Sequence, residues 1–424
     1  MSTPAYQLGE EFARRMDVED SLAGVRQRFH IPKMKSGADC IYLCGHSLGL
    51  QPKSAAQYLE QELRDWADLG VEGHFEGKNP WFTYHRLLTQ QTAELVGAEP
   101  LEVVIMNSLT VNLHLMMVSF YRPTADRPKI LVEGGAFPSD QYAVKAQIRF
   151  HGFDPSSSLI ELRPRPDEAC LREEDIHAAI EREGNSIALI LLGGVNYVTG
   201  QALDMGAVTE AGHKKGCIVG FDLAHAVGNI PLRLHDWGPD FAVWCNYKYL
   251  NGGPGSVGGC FVHQRHARAW EVPRFSGWWG HDEKTRFRMG PEFDPMEGAE
   301  GWQLSNPPIL ALAALRASLD IFSEVGMERL RAKSVALTGY AEFLLREQRS
   351  SKFSILTPAE PGRRGAQLSL RVPQHGRSIC DKLAGQGITG DWREPNIFRV
   401  APVPLYNSYD DVFRFVEHFS SQLT

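Results

Sequence analysis

The chain is poor in the features that mark several large classes of protein. Its seven cysteines form no paired framework, which excludes a disulfide scaffold and reads as reduced thiols. Cys40 and Cys44 have no second pair at zinc-finger spacing and no HExxH cluster occurs, so no metal is expected. There is no GxSxG elbow, and serine-hydrolase chemistry lacks its nucleophile. No apolar run approaches the length of a membrane span. The N-terminal MSTPAYQLGEEFARRMDVED carries acidic residues and no apolar core, so it does not read as a signal peptide, and a cytoplasmic chain is expected. Basic residues are outnumbered, 44 against 51, for a net charge of −7, and they are scattered, which leaves no footprint for nucleic acid.

What remains is a globular chain of 424 residues with an ordinary apolar share of 43%. Residues Gly9 to His30 read as a polar helical arm, followed by a short strand at Ile41–Leu43 and the turn-rich GHSLGLQP, residues 45–52. Ala55, Leu59, Leu63 and Trp66 share one helical face, and a further helix is expected over Trp81–Val96. Short apolar strands near Val103, Ile130, Leu159, Ile187, Cys217 and Phe241 then alternate with helical patterns. Such alternation predicts an α/β fold around a mostly parallel sheet covered on both faces. After about Asn306 the pattern turns to two long helices, a few strands and a last helix. The expected organisation is an N-terminal arm at 1–50 that contributes to a small domain, a large domain at 51–305, and a smaller α+β domain at 306–424.

The stretch that carries chemistry runs from Cys217 to Gly259. One apolar strand ends in Asp222, with His225 just behind; the next ends in Asn246, Tyr247 and Lys248, and a glycine-rich loop follows. Ligands in open α/β sheets sit at strand carboxyl ends. A carboxylate and a lysine so placed are the two protein groups that pyridoxal phosphate requires. The carboxylate keeps the pyridine nitrogen protonated; the lysine holds the aldehyde as a Schiff base and moves protons. Taken singly, Asp222 reads equally well as a helix cap and Lys248 as a surface lysine.

Two strand-to-helix junctions add weaker signals. Asn107-Ser108-Leu109-Thr110 offers backbone N–H groups and a hydroxyl to a phosphate, or else a simple N-cap. Gly134 to Asp140 repeats the arrangement, with Phe137 able to stack on a flat ring and Asp140 to hydrogen-bond near it; a hydrophobic staple with a capping Ser139 is the plainer reading. Gly253-x-Gly255-x-x-Gly258 matches a dinucleotide fingerprint by letter but precedes a strand-like GGCFVH instead of a helix, and is rejected.

Across GHSLGLQP, NSLTVNLHLMMVSFY, AFPSDQYA, FDLAHAVGNIPLRLHDWGPDFAVWCNYKYLNGGPGSVGG, LSNPPIL and RVAPVPLYNS the chain resembles the kynureninases, in the right order over nearly its whole length. The resemblance implies a fold-type-I pyridoxal-phosphate architecture and hydrolysis of L-kynurenine or 3-hydroxy-L-kynurenine to an anthranilate and L-alanine. By it Lys248 holds the cofactor, Asp222 pairs with the pyridinium, Leu109 and Thr110 hold the phosphate, and Phe137 stacks on the ring. Asp140 and His225 lie near the ring. Tyr247, Trp278 and Asn306 are further cofactor contacts, the last two reaching across a homodimer interface. Arg399 grips the substrate α-carboxylate, while Ser47, His74 and Asn306 lie near its aromatic end. Tyr247 is a candidate acid–base as well as a phosphate ligand. The polar His74 and Asn306 incline the expectation toward the 3-hydroxylated substrate. Two positions depart from the family: Gly193, where relatives often carry a hydroxyl, and His46, where Asn is frequent.

A cysteine desulfurase or selenocysteine lyase on the same fold is the alternative, and it needs a nucleophilic cysteine on a mobile loop. Cys380, the only late cysteine, falls in the helical pattern RSICDKL and argues against it. A relative that binds cofactor without catalysis is the non-enzyme alternative, opposed by Lys248, Asp222 and Arg399 together.

Overall fold

The periodicity of the strands is visible in how they are buried. Phe241 and Val243 pack into the core on one face of the central sheet, Ala242 and Trp244 into the core on the other. Each of the larger side chains, fully out of water, contributes on the order of 1.5–3 kcal/mol. The structure, a computed structural model, describes residues 5–423. Its thirteen strands in chain order are β1 (Ile41–Tyr42), β2 (Val103–Ile105), β3 (Lys129–Glu133), β4 (Leu159–Leu162), β5 (Ile187–Gly193), β6 (Ile218–Asp222), β7 (Phe241–Cys245), β8 (Gly258–Val262), β9 (Ser354–Ile355), β10 (Leu368–Arg371), β11 (Ile388–Thr389), β12 (Asp391–Arg393) and β13 (Ile397–Val400).

Seven of them form one sheet in the order β2-β8-β7-β6-β5-β3-β4. The pairs β3–β4, β3–β5, β5–β6 and β6–β7 are parallel, and β8 joins antiparallel to β7 and β2. After β4 the chain crosses to the far side of β3, so the strand order reverses between β3 and β5. A crevice opens at such a reversal, outside the carboxyl ends of the strands. The ends in question are Glu133, Gly193, Asp222 and, after β7, the Tyr247–Lys248 pair.

A second, antiparallel sheet has the order β12-β13-β10-β9. Around it packs a separate core that includes Phe12, Leu337, Leu344, Phe398 and Phe415. The N-terminal region joins this half, since β1 pairs in parallel with β11 and helix Glu10–Glu19 packs on the last helix, Tyr409–Ser421. Helix Ile309–Val325 packs instead on helices Ala55–Leu69 and Arg86–Val96 of the larger half.

Two expected helices are shorter than their patterns. The arm's α-helix covers only Glu10–Glu19, because Asp20 turns the chain by accepting the Leu22 N–H (2.8 Å) while it pairs with Lys333 (2.7 Å), and a 3₁₀ helix, Ala23–Arg28, follows. The helix expected over Trp81–Val96 runs from Arg86, after a 3₁₀ turn at Trp81–Thr83. There the buried Glu62 takes hydrogen bonds from both Trp81 Nε1 and Asn79 Nδ2, each 2.9 Å, and holds that end against the neighbouring helix. Gly253–Gly258 runs straight into β8, as its rejection as a dinucleotide loop requires. Among the described residues no helix is long and apolar enough to cross a membrane.

Candidate active site

The crevice is a cleft of about 920 Å³ of empty space, its open mouth included. Leu109, Thr110, Phe137, Asp140, Asp222, His225, Tyr247 and Lys248 all line it. So does Gly193, together with Ser139, read from sequence only as a cap, and two residues the sequence reading passed over, Glu133 and Tyr197.

Lys248 is aimed by close packing behind it. Asn246 is buried and tied by Nδ2 to Val257 C=O (2.7 Å), and Trp244 fills the space a Cβ on Gly259 would occupy, 2.2 Å from its ring. The loop of GHSLGLQP lies across the lysine segment: Gly49 N–H donates to Tyr247 C=O (2.8 Å), and a Cβ on Gly49 would stand 2.3 Å from Lys248 C=O. Lys248 Nζ reaches forward, 5.9 Å from the centroid of the Tyr247 ring.

Opposite it sit three carboxyl groups. Asp222 Oδ1 accepts the Ala224 N–H (2.7 Å). Burial, and then the Asp222 carboxylate, hold Asp140 well above the usual carboxylate range, and its Oδ1 is buried without a partner. Glu133 is pushed by burial up to about 7, against hydrogen bonds from Asn196 (3.2 Å) and Gly193 N–H. His225 is held neutral by burial and by the Lys248 and Arg399 charges, and its Nδ1 has no partner.

Two helix starts meet at the other end. Ser108 has the extended backbone of an N-cap yet makes no side-chain cap bond. Ser139 does not cap either: Phe137 occupies the cap position, Pro138 begins the helix, and Ser139 Oγ instead meets Thr110 Oγ1 at 2.8 Å. The plainer capping readings therefore fail at both junctions. Two hydroxyls and two helix N-termini converge there, an arrangement suited to an anion. Phe137, 46% exposed, meets Tyr197 edge-on (centroids 5.4 Å, 89°) and keeps a face toward the cleft.

Other expected residues lie elsewhere. Arg399 is fully buried, with Nη1 donating to Tyr197 C=O and Nη2 paired with Asp391, while Nε has no partner. Its fork is occupied by Asp391, which Arg393 also holds (3.0 Å). Cys44, His46 and Asp391 form a group of possible metal ligands, but both arginines lie on the carboxylate it would need. Ser47 is half-buried in the loop across Lys248. His74, Trp278 and Asn306 are absent from the cleft lining. Trp278 and Asn306 stand on adjoining exposed segments, joined by Trp279 N–H to Leu304 C=O (3.1 Å). A chain of ring contacts through Phe75, Phe82 and Phe287 connects His74 to Trp278.

The missed residues carried faint signals at best. Glu133 ends a strand in the pattern KILVE, where a carboxylate closing an apolar run marks a strand end, but nothing in sequence shows it facing Gly193.

Fold and cleft together place the chain in the fold-type-I architecture. It superposes on a cystine C–S lyase with glycine covalently linked to its pyridoxal-phosphate cofactor at a TM-score of 0.77 and 18% identity, covering 93% of this chain and 98% of the other. The cysteine desulfurase CsdA of Escherichia coli gives 0.77 at 16% identity, covering 95% and 98%. In sequence, a kynureninase of Koribacter versatilis is 66% identical over 423 residues, 100% of both chains, and one of Myxococcus xanthus 60% over 98% of both. Residues 330–419 match the kynureninase C-terminal domain. The chain belongs to the kynureninase family.

Proposed function

We propose that the chain cleaves the Cβ–Cγ bond of L-kynurenine or its 3-hydroxy derivative with water, releasing L-alanine and an anthranilate, with pyridoxal phosphate in the cleft. The observation that carries this is the meeting of Lys248 and Asp222 in one cleft, in a chain so similar over its full length to named kynureninases. The unpartnered buried Asp140 Oδ1 and His225 Nδ1, the paired hydroxyls and the free face of Phe137 all suit that cofactor. When bound, it supplies an electron sink for charge developing at the substrate Cα.

The chain's own residues do the rest. Lys248 would hold the cofactor and, as a free amine, carry the proton of the substrate Cα. Asp222 would keep a proton on the cofactor's ring nitrogen. Thr110, Ser139, the N–H groups near Leu109 and the second helix start bind phosphate, and Phe137 fixes the ring plane. Burial keeps the Tyr247 phenol protonated through neutral pH, so it can donate a proton as the aryl acid leaves. Arg399 takes the α-carboxylate once Asp391 yields one arm of its fork.

A preference for the 3-hydroxylated substrate is part of the proposal. His74 Nδ1 lies 3.0 Å from Val71 C=O and donates there, which leaves Nε2 free to meet a hydroxyl. So is a homodimer with shared sites: His74, Trp278 and Asn306, missing from their own cleft, belong to one exposed aromatic surface from which they can complete a partner's. A cytoplasmic setting is supported by seven cysteines that are all free. The desulfurase alternative loses ground, because Cys380 lies within helix Gly376–Gly385 and burial pushes its thiol up to about 11. Turnover of kynurenine and 3-hydroxykynurenine, read as anthranilate fluorescence, tests the reaction and ranks the substrates.

A further inference from the structure

Glu133 lines the cleft, yet the proposed reaction gives it no task. It closes β3 and faces Gly193, the last residue of β5. Gly193 pairs in register with Asp222 on β6, so Glu133 and Asp222 end strands that flank β5 on either side, two strand spacings or about 10 Å apart. A side chain at position 193 would come between them, its Cβ 3.0 Å from Glu133 Oε2. With glycine there the acid takes the Gly193 N–H, and the Asp222 charge bears on it. Asp140, on helix Pro138–Phe150, and the Cys170 thiol are the other titratable groups within its field.

Glu133 is tied in a second direction as well. Its Oε1 accepts Asn196 Nδ2 (3.2 Å). The orientation of that amide is fixed, because Asn196 Oδ1 takes the N–H groups of Val198 and Thr199, both at 2.9 Å. Asn196 thereby pins the turn at 196–201 to the acid. Tyr197 rides on this turn, its ring in the cleft against Phe137. Its C=O accepts both Arg399 Nη1, from β13, and Gln367 Nε2 (3.1 Å), while Ser369 Oγ on β10 donates to Val198 C=O (2.6 Å). One chain of hydrogen bonds therefore runs from the strand end beside Asp222 to the arginine of the second sheet.

We propose that Glu133 is a positioning residue that couples the two ends of the site: across Gly193 it bears on Asp222, and through Asn196 it holds the turn that presents Tyr197 and receives Arg399. This rests on the function proposed above, which puts the cofactor's ring nitrogen at Asp222 and the substrate carboxylate at Arg399. Burial raises the Glu133 carboxyl to about 7 in the chain alone. A positive ring nitrogen beside Asp222 favours the ionised acid and lowers that value. Cofactor binding then releases the proton, and the ionised chain binds the cofactor more tightly than the protonated one.

Two binding measurements on the full chain test the two ends. Pyridoxal-phosphate affinity is read from the Schiff-base absorbance, and L-alanine affinity from the change it makes in that absorbance. Glu133→Gln keeps an acceptor for Asn196 and removes the titration; Glu133→Leu removes both. At about pH 5.5 wild type and Glu133→Gln should bind the cofactor alike, and at about pH 8.5 wild type should bind it on the order of 10-fold more tightly. A merely structural role leaves that ratio flat. At about pH 7 L-alanine should bind Glu133→Gln within about 3-fold of wild type, and Glu133→Leu and Asn196→Ala each about 10-fold more weakly. The Glu133→Leu/Asn196→Ala pair should be no worse than either alone, because both break one chain of bonds. A cofactor-affinity ratio equal at both pH values overturns the proposal, as does unchanged L-alanine binding in Asn196→Ala, which decides that end even where Glu133→Leu does not fold. A wild type that binds both ligands but cleaves no kynurenine overturns the proposed reaction instead, while the same ratios still decide Glu133.

Discussion

At the scale of single residues, the site works by holding charge where water cannot screen it. Under the proposed function Asp222 would keep the ring nitrogen protonated, so Asp222→Asn should lower kcat on the order of 100-fold or more with the fold intact, as steady-state turnover and far-UV circular dichroism will show. Tyr247→Phe separates the two roles proposed for it: loss of kcat at unchanged cofactor affinity marks acid–base work, and loss of affinity alone marks a phosphate ligand. Glu133 gives a pH signature. Its carboxyl is raised from 4.5 to about 7 in the fold, chiefly by burial. Between those values the folded chain keeps a proton that the unfolded chain has lost, so this group's contribution makes stability fall as pH rises through that window. Glu133→Gln abolishes that slope, and at pH 8 it should be stabilised relative to wild type by roughly 1–3 kcal/mol, less whatever its lost hydrogen bonds cost. Chemical denaturation of the apo chain at pH 5 and pH 8 measures it.

At the scale of elements, most strands and their order of appearance were legible, because fully buried parallel strands announce themselves as apolar runs. Asp222 and Lys248 were legible for the same reason, each closing such a run. The plainer capping readings at the two junctions stayed open because local sequence cannot show a second helix start arriving beside the first. Arg399 shows a different limit: its place at the second sheet's centre was readable as a strand, its ion pair with Asp391 on β12 was not, since strand pairing is long-range. Gly49 belongs to this scale too. With 2.3 Å between its built Cβ and Lys248 C=O, Gly49→Ala must push the loop off the lysine segment. A loss of about 1–3 kcal/mol in thermal or denaturant stability is expected, with weaker cofactor binding.

At the scale of the whole molecule, the proposed assembly follows from what one chain leaves unfinished. Phe75, Trp278 and Phe287 are 55%, 42% and 57% exposed within one connected set of rings, a surface that suits burial against a second copy. Phe287→Glu should shift sedimentation from dimer toward monomer and lower turnover in step, because the partner's Trp278 and Asn306 leave the cleft. A monomeric variant with full activity would refute shared sites while leaving the chemistry of the single cleft untouched.

The central claim, that Lys248 in this cleft drives hydrolysis of a kynurenine, is tested most directly by turnover. Wild type and Lys248→Ala are each given pyridoxal phosphate with kynurenine or 3-hydroxykynurenine, and the fluorescent anthranilate is followed. The account predicts product from wild type, more with the 3-hydroxylated substrate, and none from the variant. A wild-type protein that shows the Schiff-base absorbance but forms no anthranilate from either substrate would contradict it.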